Sequence, residues 1–128
     1  MEVTLDTVRV LIVDDQAAFR SAARLVVEMA EGFEVVGEAE TAEDGLSQLD
    51  ELSPDLVLMD VNLPGMDGLE ATRRIVAGQG PPVVLVLSTY SSGDYEDRAV
   101  DAGAAAFISK SDFDPFSLQA AWESAQPS

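Results

Sequence analysis

The chain has 128 residues, 47% of them hydrophobic, which suits one domain with a core of its own. Twenty-four acidic residues against seven basic ones give a formal charge of -17, a field that repels nucleic-acid phosphates and anionic membrane surfaces. With no cysteine and no histidine, disulfides, thiolate or imidazole zinc sites and histidine-based triads are excluded, so any bound metal must be a hard cation held by oxygen. The N-terminus, MEVTLDTVRV, is acidic and lacks an apolar leader core, and every apolar run is far shorter than the roughly 18 residues of a membrane span. The expectation is a soluble cytoplasmic protein that binds neither nucleic acid nor membrane directly.

The first strand is expected at VRVLIV, residues 8 to 13, and Asp14-Asp15 ends it. Phe19, Ala22, Ala23, Val26, Val27 and Ala30 then recur at helical spacing, with Gly32 as a stop. EVVGEA at 34 to 39 reads as a second strand. Thr41 followed by Asp44 resembles an N-cap for a helix with Leu46 and Leu49 on its buried edge, ending before Ser53-Pro54. DLVLMD at 55 to 60 is the third strand, and a helix beginning near Gly68 carries Leu69, Ile75 and Val76 up to the break at Gly78 to Gly80. VVLVLS at 83 to 88 follows Pro81-Pro82 as the fourth strand. A weaker helix over 94 to 102 has only Tyr95, Ala99, Val100 and Ala102 as its apolar edge, and Gly103 ends it. AAFISK at 105 to 110 is the fifth strand, and the last helix starts near Asp114 with Phe116, Leu118, Ala121 and Trp122, its pattern fading before Gln126.

Near-continuous apolar strands are buried on both faces, the signature of a parallel sheet. Five such strands alternating with five helices predict a doubly wound α/β domain spanning residues 1 to 128, with right-handed crossovers. In these sheets the functional crevice lies beyond the carboxyl ends of the strands.

At those ends stand Asp14 and Asp15, Asp60, Ser88 and Lys110, the only lysine in the chain. Each has an ordinary explanation taken singly: an Asp there caps or turns, a Ser satisfies backbone groups, and a Lys solvates the surface. Together they put three carboxylates, a hydroxyl and an ammonium on one rim. Two carboxylates about 4 Å apart repel by roughly 4 kcal/mol at an effective dielectric near 20, so the cluster requires cations. Lys110 supplies one, and a divalent, oxygen-liganded ion such as magnesium, with manganese as the alternative, would supply the rest. A carboxylate beside such an ion can attack phosphorus to form an aspartyl phosphate, while Lys110 and Ser88 stabilise the equatorial oxygens.

These residues resemble the receiver domains of bacterial two-component response regulators: Asp14-Asp15, DLVLMDVNLPGMDGLE at 55 to 70, LST at 87 to 89 and AGAAAFISK at 102 to 110 agree in order, type and interval. The stretch from Thr89 to Asp112 is most similar to the subfamily whose receivers precede a helix-turn-helix output domain. The resemblance implies a flavodoxin-like sheet of order 2-1-3-4-5 and phosphoryl transfer to Asp60 from a histidine kinase or histidine phosphotransfer protein. It implies that Asp15 and Asp60 ligate magnesium directly, that Asp14 acts largely through water, and that Asn62 offers its backbone carbonyl. Lys110 would pair with Asp60 or its phosphoryl oxygens, Ser88 would hydrogen-bond the phosphoryl group, and Phe107 would be the aromatic that turns inward as Ser88 moves. Phosphorylation would then alter partner binding or self-association, including homodimer formation, through the face of the fourth helix, fifth strand and fifth helix.

Two positions depart from the commonest pattern. Ser111 stands where many members have proline, and Tyr90 is a bulky side chain that either limits water access to the site or lies on the surface. The leading expectation is a phosphoacceptor switch that catalyses only its own phosphorylation and dephosphorylation. A magnesium-dependent phosphohydrolase working through an aspartyl phosphate is the enzymatic alternative, although family members of that kind carry Asp-x-Asp after the first strand. An interaction module of the same fold without phosphorylation is the third reading.

Overall fold

Every strand starts or ends where apolar residues meet a turn former, and the computed structural model, which describes residues 7–89 and 93–126, places five of them in one sheet. They are β1 (Val8–Val13), β2 (Phe33–Ala39), β3 (Leu56–Asp60), β4 (Val83–Ser88) and β5 (Ala106–Ser109). All neighbours run parallel in the order β2-β1-β3-β4-β5. Five helices cover the two faces: α1 (Ala17–Met29), α2 (Ala42–Leu52), α3 (Gly68–Val76), α4 (Gly93–Ala102) and α5 (Pro115–Ala125).

Because side chains alternate across a strand, each central strand feeds two cores. Leu11, Val13, Val57, Met59, Val84 and Val86 pack on the side of α2, α3 and α4. Val10, Ile12, Leu56, Leu58, Leu85 and Leu87 pack on the side of α1 and α5, against Ala23, Val27, Phe113 and Leu118. At about 1.5–3 kcal/mol per fully buried aliphatic side chain, this double burial is the main favourable contribution to the fold. β2 and β5 are edges, and their residues are mostly half-buried.

The helix starts follow their local chemistry. Thr41 Oγ1 accepts the Asp44 amide at 3.0 Å, Asp67 Oδ1 accepts that of Glu70 at 2.8 Å, and Asp114 forms a reciprocal capping box with Ser117. α2 ends at Leu52, and Ser53 after it takes a left-handed φ of 47° rather than continuing the helix into Pro54. α1 stops at Met29, and the expected glycine stop lies in the following turn, where Gly32 has φ 88°.

Two local expectations are corrected. β5 ends at Ser109, and Lys110 opens a single 3-10 turn, Lys110–Asp112, closed by the Phe113 amide on the Lys110 carbonyl and joined to the α5 cap by the Ser117 hydroxyl on the Asp112 carbonyl. Val100 is 58% exposed, so α4 rests on Ala99 and Ala102, with Tyr95 packed partly buried beside them. α5 runs as expected from the Asp114 cap and ends at Ala125, just before Gln126, with Trp122 edge-on to Phe33 at a centroid distance of 6.3 Å.

Candidate functional site

Parallel pairing brings every strand's carboxyl end to the same rim. Val13 pairs with Met59, Asp60 with Leu87, and Ser88 with Ser109, so the residues following these positions converge. Asp14, Asp60 and Ser88 are buried there, while Asp15 and Asn62 are exposed. Asp15, Gln16, Asp60, Asn62, Thr89 and Lys110 line an open crevice of about 410 Å³.

Lys110 lies between the two buried carboxylates, its Nζ 2.7 Å from Asp14 Oδ2 and 3.6 Å from Asp60 Oδ1. Asp14 Oδ1 accepts the Gln16 amide at 2.8 Å, and Asp60 Oδ1 accepts the Asn62 amide at 3.3 Å. One oxygen each of Asp14, Asp15 and Asp60 fall within 4.8 Å of one another. Burial, and then the charge of Asp14, push the Asp60 carboxyl up to about 6, against the opposing pull of Lys110 and the Asn62 amide. One ammonium therefore does not neutralise the cluster. The donors are hard oxygens, and Asp14 Oδ2 is buried with no hydrogen bond beyond its ion pair among the described residues. Such a set fits a divalent cation.

The β3–α3 turn holds Asp60 in place through backbone contacts. The Gly68 amide donates to Val61 O at 3.1 Å, and a Cβ at Gly68 would lie 1.9 Å from Asp60 O, so only glycine lets α3 begin this close to the acidic residue. Gly65 has φ 77°, and Glu43 Oε2 accepts the Met66 amide at 3.3 Å, tying that turn to the start of α2.

Of the sequence-selected residues, Asp14, Asp15, Asp60, Asn62 and Lys110 meet at the crevice, and Ser88 is buried at the end of β4 beside them. Phe107 is half-buried against the α2–α3–α4 core. Tyr90 lies outside the described residues. Besides Gln16 and Glu43, Arg20 and Phe19 also contribute without having been singled out for the site in the sequence. Arg20 donates to the Asp14 carbonyl at 2.7 Å while paired with Glu38, and the Phe19 ring lies 4.4 Å from Lys110 Nζ. Phe19 matched a core stripe and Arg20 a surface charge, so only their pairing with residues far along the chain reveals them.

Residues 10–123 match the family model for the response regulator receiver domain. The response regulator GacA of Pseudomonas aeruginosa is 40% identical over 103 residues, which cover 80% of this chain and 48% of that protein. The chain thus spans about half the length of the GacA relatives it matches. A LuxR-family two-component response regulator from an Aurantimonas species superposes with a TM-score of 0.83 at 36% identity, covering 92% of this chain and 84% of that one. The signal receiver domain of the NarL response regulator of Mycobacterium tuberculosis superposes at 0.81 with 28% identity, covering 91% and 98%. No helix among the described residues is long and apolar enough to cross a membrane. The matching family model, the identity to these regulators, the sheet order and the acidic rim agree: the chain belongs to the response regulator receiver-domain family.

Proposed function

We propose that Asp60 accepts a phosphoryl group from a phosphohistidine on a histidine kinase or histidine phosphotransfer protein, and that residues 1 to 128 work as a single phosphorylation switch in the cytoplasm. The observation that carries this reading is a buried carboxylate at an open crevice, flanked by a second buried carboxylate and held 3.6 Å from the chain's only lysine. In the transfer, an Asp60 oxygen bonds to phosphorus as the phosphorus–nitrogen bond breaks, and the departing imidazole takes up a proton.

Asp15, Asp60 and the Asn62 carbonyl would hold magnesium or manganese, with Asp14 contributing through water. The ion supplies positive charge against the phosphoryl oxygens. Lys110 offsets the charge that grows on those oxygens, and Ser88 donates a hydrogen bond to them. Ser88 and Phe107 would couple the event to the α4–β5–α5 face and so to partner binding or self-association. The strongly acidic composition supports a protein partner rather than nucleic acid at this domain.

Intact-mass measurement after incubation with magnesium and acetyl phosphate tests the proposal. The expected product carries one phosphoryl group, and it is missing from Asp60→Asn and from metal-depleted samples. No adduct, with no binding of beryllofluoride, would overturn the Asp60 assignment and favour an unphosphorylated interaction module. Steady turnover of an unrelated phosphoester would favour a phosphohydrolase.

A further inference from the structure

Lys110 poses a positional problem. Its side chain is a four-carbon stem with about 2 kcal/mol of rotamer entropy, and it starts just past the end of an edge strand, in a 3-10 turn. Yet its side chain is only 11% exposed, and its ammonium sits asymmetrically, nearer Asp14 than Asp60. The two carboxylates set its charge balance, and a third, uncharged group also meets it. The Phe19 ring lies against the ammonium, its centroid 4.4 Å from Nζ. The face of an aromatic ring is electron-rich and attracts an ammonium, most strongly where water is scarce.

Phe19 also reaches the far end of the same turn. Its ring packs at 6.4 Å and 44° against Phe113, which is buried at the exit from Lys110–Asp112. One side chain of α1 therefore touches both ends of the segment that carries the lysine. The next residue, Arg20, holds the Asp14 carbonyl at 2.7 Å and is itself anchored by Glu38 on β2. A single turn of α1 thus locates both the ammonium and its nearer carboxylate.

We infer that Phe19 is a positioning residue for Lys110: its ring face holds the ammonium beside Asp14 and within reach of whatever is bound to Asp60. The inference rests on the phosphoacceptor reading for its kinetic consequence and on the geometry alone for the contact. A leucine at position 19 keeps apolar bulk against Phe113 and removes the ring face. A tyrosine keeps the ring. The lysine would then sample more rotamers in the leucine variant, and fewer of them would meet a phosphoryl oxygen.

The test uses the whole chain labelled with isotopic lysine, which yields one side-chain signal set because Lys110 has no counterpart. In the unmodified protein the lysine ε-methylene protons are expected upfield, shifted by the ring current. Phe19→Leu should return them toward the position of a solvated lysine and slow phosphorylation by acetyl phosphate at saturating magnesium by about three- to tenfold. Magnesium affinity by calorimetry should be unchanged, and Phe19→Tyr should keep both the shift and the rate. If Phe19→Leu fails to fold, as judged by thermal melting, Phe19→Met takes its place with the same expectations. Lysine signals that do not move in the ring-less variant would overturn the inference. So would a tyrosine variant as slow as leucine, or a fall in magnesium affinity parallel to the rate, since those are the marks of a general packing role. An absence of any adduct in the unmodified protein would instead remove the phosphoacceptor reading and the kinetic consequence, while the lysine signals still decide whether the ring holds the ammonium.

Discussion

β3, which ends on Asp60, and β5, which leads into Lys110, are built in opposite ways. All five residues of β3 are buried between strands on both sides and core on both faces, so Asp60 ends a segment with almost no freedom. All four residues of β5 are half-buried at the sheet's edge, and Lys110 lies one residue beyond it. Asp60 is therefore held by backbone pairing and Lys110 by side chains. A charge on a rigid strand end needs no further support, whereas one on an edge must borrow it from a neighbouring helix.

The comparison is most sharply tested in the core that both strands share on the α1–α5 side. Leu58→Ala in β3 should cost about 3–5 kcal/mol in chemical denaturation, and Ile108→Ala in β5 only about 1–2 kcal/mol, because a half-buried site relaxes and rehydrates. Equal costs would show that the edge strand is as constrained as the centre. Gly68→Ala should come next, at roughly 2–3 kcal/mol, as the added methyl is driven into the Asp60 carbonyl. It should also suppress adduct formation in the intact-mass assay, since relief requires moving either α3 or Asp60.

Asp60→Asn tests the opposite sign. The Asp60 carboxyl titrates near 6 in the folded chain against an ordinary value of 3.8, so the native state binds the proton more tightly than the unfolded one. Below about pH 4 both states are protonated and no penalty exists. As pH rises the penalty grows, and it is complete above about pH 6. Metal-free Asp60→Asn should therefore be more stable than the unmodified chain at pH 7.5, by up to about 2–3 kcal/mol, with the gain vanishing as pH falls toward 4. Urea denaturation at a series of pH values with a chelator present reads this directly, and magnesium should reduce the gap. The smallest effect is expected for Asp114→Ala, which removes a capping box and should cost about 1 kcal/mol by thermal melting. Because that box also anchors the turn after Lys110, the lysine signals should broaden while those of β3 stay put.

Much of this was legible in the chain. The capping pattern from Thr41 to Asp44, the helix start near Gly68 and the break at Ser53-Pro54 are local chemistry, set by hydrogen bonds between residues a few positions apart. Asp14, Asp15, Asp60 and Lys110 were readable because strand ends are marked by abrupt loss of apolar character, and parallel pairing brings them together. The end of β5 at Ser109 and the exposure of Val100 were not readable, because both depend on which surface a neighbouring element covers rather than on local pattern.

By itself, then, the sequence determined the order of elements, their two-sided burial and the gathering of acidic residues with one lysine at a single rim, because periodicity and strand-end chemistry are short-range properties. Only the tertiary structure decided how that rim is held. The reach of Phe19 to Lys110, of Arg20 to the Asp14 carbonyl and of Glu43 to the Met66 amide depends on which helix lies beside which loop. That is settled by packing across the whole sheet, which no local pattern encodes.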